Sequence, residues 1–270
     1  MEKWRLILCA PLPGQMNMAI DEALLQSTVM NGSGLVLRLY SWAPGCLSLG
    51  FAQPFSDVDE SGLKLKGWDY VRRPTGGRAI LHIDELTYSI CAPLDSPVVQ
   101  GNLLESYRRL SGGLLEALKI LGVDASAQKE YGNSQLSPAN PVCFEVPSNY
   151  EITAKGKKLI GSAQSRKMGG VLQHGTLPLH GDITRINDAL NFPDEISKNE
   201  AKARINTHAI TLEGALGIRV AWDEAAQAFT HGFEKALGVN FYESSLSDDE
   251  SKLAESLLIE KYATRAWNCK

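Results

Sequence analysis

Residues 150–179, YEITAKGKKLIGSAQSRKMGGVLQHGTLPL, decide the architecture. The segments 150–154, 158–167 and 171–179 read as three consecutive strands, because glycine-bearing turns at Lys155-Gly156-Lys157 and Met168-Gly169-Gly170 separate them. Strands joined this way pair antiparallel.

Working outward, residues 4–9, 35–42, 47–51, 69–73, 79–83 and 86–92 also read as strands. Between the first two, Met16, Ala19, Ile20, Ala23 and Leu24 recur at helical spacing, so residues 16–30 are expected to be helical, with Asn31-Gly32-Ser33-Gly34 as the stop. Leucines at 103, 104, 110, 114, 115, 118 and 121 mark a long amphipathic helix, and the polar run 128–140 reads as a loop. Helices are expected at 195–204, 223–237 and 248–262, the last two opening on acids that suit a helix N-terminus. Strands early and helices late predict an α+β fold: a mixed, largely antiparallel sheet flanked by helices. No repeat or linker interrupts the chain, so 1–270 reads as a single domain.

Composition narrows the function classes. The 270 residues are 44% hydrophobic and 21% charged, with 27 basic against 31 acidic side chains and a formal net charge of −4. A basic excess of the kind that draws nucleic acid or anionic membrane is missing, so neither is expected as a partner. No uncharged apolar run approaches the roughly 20 residues needed to span a bilayer. The five cysteines, at 9, 46, 91, 143 and 269, are scattered and odd in number, which argues against a disulfide framework and a cysteine metal site and fits a reducing cytoplasm.

Three segments carry candidate chemistry. Arg72-Arg73-Pro74-Thr75-Gly76-Gly77-Arg78, ending in His82, sets paired glycines between strands with three arginines nearby, an arrangement suited to an anion or to a close-approaching ligand, and equally to a hairpin with a basic rim. Val142-Cys143-Phe144-Glu145-Val146-Pro147 puts a thiol after a polar loop, and Lys158 on the apolar strand that continues into Gly161-Ser162-Ala163 offers an ammonium that would favour its thiolate. Gln173-His174-Gly175-Thr176 places a histidine beside a glycine on a strand, where it is a substrate donor or a satisfied core group. No metal-ligand spacing is found.

Taken in order, R-R-x-T-G-G, K-x-x-G-S-A and H-G-T-L resemble the biotin/lipoate protein ligase superfamily, as do Asn17-Met18-Ala19-Ile20-Asp21-Glu22-Ala23-Leu24 and Lys261-Tyr262…Trp267-Asn268. The resemblance implies a fold like that of class II aminoacyl-tRNA synthetases and biotin synthetases, with a catalytic core at about 30–245 and a C-terminal helical segment at about 246–270. Within the superfamily the chain is most similar to the LipM-type octanoyltransferases, because Arg78 stands where ligases carry a third glycine and Cys143 precedes the lysine strand. That likeness implies octanoyl transfer from acyl carrier protein to a lysine of a lipoyl domain, such as that of the glycine cleavage H protein or a 2-oxoacid dehydrogenase E2, without a cofactor.

Cys143 is then the acyl-thioester nucleophile and Lys158 the group that lowers its pKa. The substrate-binding set is Arg73, Gly76, Gly77, His82, Gly161, Ser162, Ala163, His174, Gly175 and Thr176. An apolar tunnel between the Gly76-Gly77 backbone and the Lys158 strand is expected to hold the acyl chain. Around its mouth, Arg72, Arg73, Arg78, Lys155, Lys157, Arg166 and Lys167 would form a basic island for an acidic carrier protein. The competing readings are an ATP-dependent lipoate-protein ligase lacking an accessory domain and a non-catalytic binder of acyl groups or lipoyl domains.

Overall fold

The computed structural model describes residues 2–128 and 151–270, apart from Asn31 and Ser33. In chain order it comprises β1 (Glu2–Leu8), α1 (Gly14–Met30), β2 (Val36–Tyr40), β3 (Cys46–Leu49), α2 (Glu60–Lys66), β4 (Asp69–Arg72), β5 (Ile80–His82), β6 (Glu85–Pro93), α3 (Leu103–Ile120) and β7 (Ala125–Gln128). There follow β8 (Glu151–Ala154), β9 (Lys157–Lys167), β10 (Gly170–Pro178), α4 (Glu195–His208), α5 (Leu212–Leu216), α6 (Trp222–Leu237), β11 (Val239–Glu243), α7 (Asp248–Leu257) and α8 (Arg265–Asn268).

The three expected strands around the glycine turns are β8, β9 and β10, antiparallel as read. They belong to an eight-stranded sheet of order β11-β1-β2-β6-β10-β9-β8-β7. Only β11-β1 and β1-β2 pair parallel; the other contacts in this sheet are antiparallel. A second sheet, β4-β3-β5, stands apart from it.

Alternation along the central strands assigns the two faces. On β6, Leu86, Tyr88, Ile90 and Ala92 join Leu37 and Leu39 of β2 under α3 and α6, where Leu110, Leu114, Phe229 and Phe233 complete a buried cluster. Each such side chain contributes roughly 1.5–3 kcal/mol by leaving water. The opposite face packs on α1 through Ile20, Ala23 and Leu24 against Val36, Cys91 and Leu172. Farther along that same face the residues turn polar: Arg38, Thr87, Ser89, His174 and Thr176 are all buried there. A polar layer between a sheet and its helix is costly unless every group is paired, and this is where the candidate site lies.

Beyond β7, α5, β11 and α8, which the sequence did not mark, two elements depart from expectation in an instructive way. Residues 60–66 form α2, capped by the Asp59 carboxylate accepting from Gly62 N at 2.9 Å and closed by left-handed Gly67, a helix too short for its periodicity to show in the sequence. The expected helix 248–262 is α7 followed by a wider π turn over Leu258–Tyr262.

Candidate active site

A cavity of about 130 Å³ opens between the polar part of the large sheet and the small sheet. On a scale where one water takes about 10–15 Å³, it has room for roughly ten waters. Twelve residues singled out from the sequence line it: Lys158, Arg73, Gly76, Gly77, Arg78, His82, Gly161, Ser162, Ala163, His174, Gly175 and Thr176. Cys143 lies outside the described residues, and so does any contact it makes with Lys158.

The β9–β10 register sets Gly161 opposite Thr176 and Ala163 opposite His174, which brings two of the motifs onto one wall. Gly175 is required at the join, since a Cβ there would sit 2.5 Å from Gly161 O and from Ser162 Oγ. The third motif arrives from the small sheet. Gly77 has φ +94, a conformation that L side chains rarely adopt, so the turn needs glycine there.

The arginines behave differently from expectation. Arg73 donates to the carbonyls of Ser48 at 2.9 Å, Gly76 at 2.8 Å and Arg78 at 2.7 Å, bracing its own loop from within. Arg72 is fully buried and donates to Gly50 O, Gln53 O, Asn268 O and Lys270 O. Much of the expected basic island is therefore engaged by backbone carbonyls, although Arg73 and Arg78 line the cavity. Lys155 and Lys157 reach Gly214 O and Asn206 O, and Arg166 is taken by Gly101 O and Val99 O. A guanidinium near a loop finds unpaired carbonyls at closer range than solvent anions, and burial makes those bonds worth keeping.

Both histidines are held by protein groups. His174 Nδ1 faces Asp21 Oδ2 at 3.4 Å and Nε2 meets Thr75 Oγ1 at 2.6 Å. Burial pushes the His174 imidazole below its usual range, despite the opposing pull of Asp21. A neutral ring with its proton on Nδ1 accepts the Thr75 hydroxyl at Nε2, tying β10 to the Gly76-Gly77 loop. His82 directs Nδ1 to Glu85 at 3.0 Å and Nε2 to Ser48 Oγ at 2.8 Å, with its ring stacked 4.0 Å from that of Trp42.

Asp21 gathers this layer. Its fully buried carboxylate accepts from Arg38 Nη1 at 2.8 Å, Ser89 Oγ at 2.8 Å and Tyr40 OH at 2.9 Å. Burial alone would raise its pKa, but hydrogen bonding to His174 and the charge of Arg38 outweigh it and hold the carboxyl below the usual range. Helical spacing in α1 marks only its apolar stripe, so it gives no sign of the buried role of Asp21.

Two groups are poised toward the cavity. Lys158, 4% exposed, lies 2.7 Å from Glu151 Oε1, a partner the sequence reading did not name. The Thr176 hydroxyl, buried on the wall, has no hydrogen-bond partner among the described residues. Met18, Tyr40, Trp42, Ser48, Ile80 and Thr87 also line the cavity, and apart from the motif-borne Met18 and Ile80 they come from positions that read only as strands. Among the described residues no His/Cys/Asp/Glu group could hold a metal ion, and no helix is long and apolar enough to cross a membrane.

Residues 13–234 match the lipoyl protein ligase A/B catalytic domain. The chain is 42% identical over 268 residues to an octanoyltransferase LipM of Carboxydothermus hydrogenoformans, covering 99% of this chain and 98% of that one. It is 37% identical to an octanoyltransferase LipM of Brevibacillus brevis, covering 99% of each. Among solved structures, a bipartite lipoate protein ligase of Thermoplasma acidophilum, described with its E2 lipoyl domain, superposes with a TM-score of 0.84 at 25% identity, covering 100% of this chain and 97% of that one. A family match over most of the chain and full-length relatives well above 30% identity place the chain in the lipoyl protein ligase A/B catalytic domain family.

Proposed function

We propose that the chain transfers an octanoyl group from acyl carrier protein to a lysine of a lipoyl-domain protein, through a thioester on Cys143. The observation that carries this reading is the convergence of the three motifs on one cavity with Lys158 in its wall, in a chain whose full-length relatives bear the name octanoyltransferase. The work would be done in the cytoplasm, with no cofactor.

In the first step the Cys143 thiolate attacks the octanoyl thioester carbonyl, and the bond from that carbonyl to the carrier sulfur breaks. The carrier thiolate leaves and takes up a proton. Lys158 beside the thiol would favour its thiolate, and Glu151 supplies the countercharge that lets an ammonium stay buried. In the second step the neutral amine of the acceptor lysine attacks the Cys143 thioester, an amide forms, the C–S bond breaks and the amine proton is released as the thiolate returns. Among the described residues, the unpartnered Thr176 hydroxyl and the Gly76-Gly77 backbone N–H groups are candidate donors to an oxyanion. Burying the eight-carbon chain would contribute about 0.8 kcal/mol per CH₂.

The test is intact-mass analysis of wild type and Cys143→Ala after exposure to octanoyl carrier protein, with and without ATP. A gain of one octanoyl mass in wild type alone, independent of ATP, is expected; an adduct that survives the substitution refutes the mechanism. The second reading, an ATP-dependent ligase, is favoured by the likeness to the archaeal ligase structure and predicts activity that needs ATP and tolerates loss of Cys143.

A further inference from the structure

Cations collect beside the cavity, where Lys167 of the expected basic island meets two lysines of the C-terminal segment. Lys270 Nζ lies 3.7 Å from the ring centroid of Trp267 and 4.4 Å from that of Phe51. Lys167 Nζ is 4.1 Å from the Phe51 centroid and Lys261 Nζ 4.2 Å from that of Trp267. Three ammonium groups thus share two aromatic rings, themselves 5.8 Å apart. Lys261 is paired with Glu22 at 2.6 Å, whereas among the described residues no acidic side chain pairs with Lys167 or Lys270. Partial burial, and after it the charges of Arg72, Lys261 and Lys167, push the Lys270 amine below its usual range.

The patch is built rather than incidental. The buried Arg72 guanidinium bonds the carbonyls of Gly50 and Phe51 on one side and of Trp267, Asn268 and Lys270 on the other, clamping both aromatic-bearing segments together. It also adjoins the cavity: Phe51 N donates to Thr75 O at 2.9 Å, at the start of the Gly76-Gly77 turn. Lys167 stands four residues beyond Ala163 on β9, about 13 Å away at strand spacing.

We propose that Lys167, Lys261 and Lys270, seated on Phe51 and Trp267, are the docking surface for an anionic face of the protein that delivers the acyl thioester; the proposal rests on the acyl-transfer reading above. An acidic carrier face bearing a neutral thioester is attracted to this field.

The experiment compares wild type with Lys167→Glu/Lys270→Glu, leaving Lys261 and its Glu22 pair intact. Binding of octanoyl carrier protein is measured by titration at low and at physiological salt, and turnover is followed with that donor and with the uncharged octanoyl-N-acetylcysteamine thioester. The expected result is carrier binding weakened roughly tenfold or more, with its salt dependence reduced and turnover of the small thioester unchanged. Unchanged carrier binding overturns the proposal. So does a rise confined to the KM of the acceptor, or an equal loss with both donors. Wild type that binds the carrier but transfers from neither donor refutes the acyl-transfer reading, and the binding arm still decides the surface.

Discussion

Lys158 and Glu151 form a buried ion pair on adjacent strands, Nζ to Oε1 at 2.7 Å, with side chains only 4% and 9% exposed. The β8–β9 register shifts between Ile152 and Thr153, and this irregularity accompanies the pairing of residues seven apart across a tight turn. An ammonium out of water survives only beside a countercharge.

Removing that countercharge is expected to cost about 3–5 kcal/mol, because Glu151→Gln leaves Lys158 buried without its carboxylate. Replacing both, as Glu151→Leu/Lys158→Met, should recover most of the stability while acyl transfer stays lost. Denaturant unfolding of the three proteins beside turnover checks this; equal stability of wild type and the single variant would show that the pair does not matter to the fold.

Thr176 separates binding from rate. Thr176→Val keeps the shape of the wall and removes a hydroxyl that has no partner among the described residues, so stability should change little. If that hydroxyl meets the developing oxyanion, kcat falls about 10²-fold with KM nearly constant. Steady-state kinetics decide it.

The bond from Thr75 to His174 is expected to be structural in its energetics. Thr75→Val strands a buried imidazole nitrogen and should cost about 1–3 kcal/mol. Burial, which holds the ring neutral, is unchanged by that substitution, so the His174 resonances followed by NMR should still show a pKa below the ordinary histidine value. A ring that titrates at or above that value would contradict this account.

Acid should act at the other edge of the sheet. Arg5 on β1 grips Glu250 at the start of α7 through two bonds, at 2.6 and 2.9 Å. Burial opposes ionisation there, but the Arg5 bonds and the Ser247 backbone bring the Glu250 carboxyl down to about 2. A depressed carboxyl stabilises the fold above its unfolded pKa near 4.3, and that contribution disappears as pH falls toward 2. It is on the order of 3 kcal/mol at neutral pH. Glu250→Gln should abolish this part of the stability change between about pH 4.5 and 2, as measured by thermal unfolding across that range.

Much of the arrangement was legible in the chain. Period-two alternation and the glycine turns at 156 and 169 marked β8 to β10, since both signals are local. For the same reason all three motifs were found: a glycine forced by a close approach, or a lysine in an apolar strand, stands out without knowledge of its neighbours. The parallel pairing of β11 with β1 was not legible, since it joins residues more than 230 positions apart and leaves no local mark. The carbonyl partners of Arg72 and Arg73 were not legible for a related reason. A guanidinium looks the same in sequence whether it faces an anion or backbone carbonyls.

By itself, then, the sequence determined the α+β class, the antiparallel core of the sheet and the motif residues on the cavity wall, because backbone periodicity and steric need are written residue by residue. Only the tertiary structure decided the partners: Glu151 for Lys158, Asp21 and Thr75 for His174, and Lys167 with Lys261 and Lys270 around two aromatic rings. Charge and hydrogen bonding act through space over a few ångströms, and distance along the chain carries no measure of that.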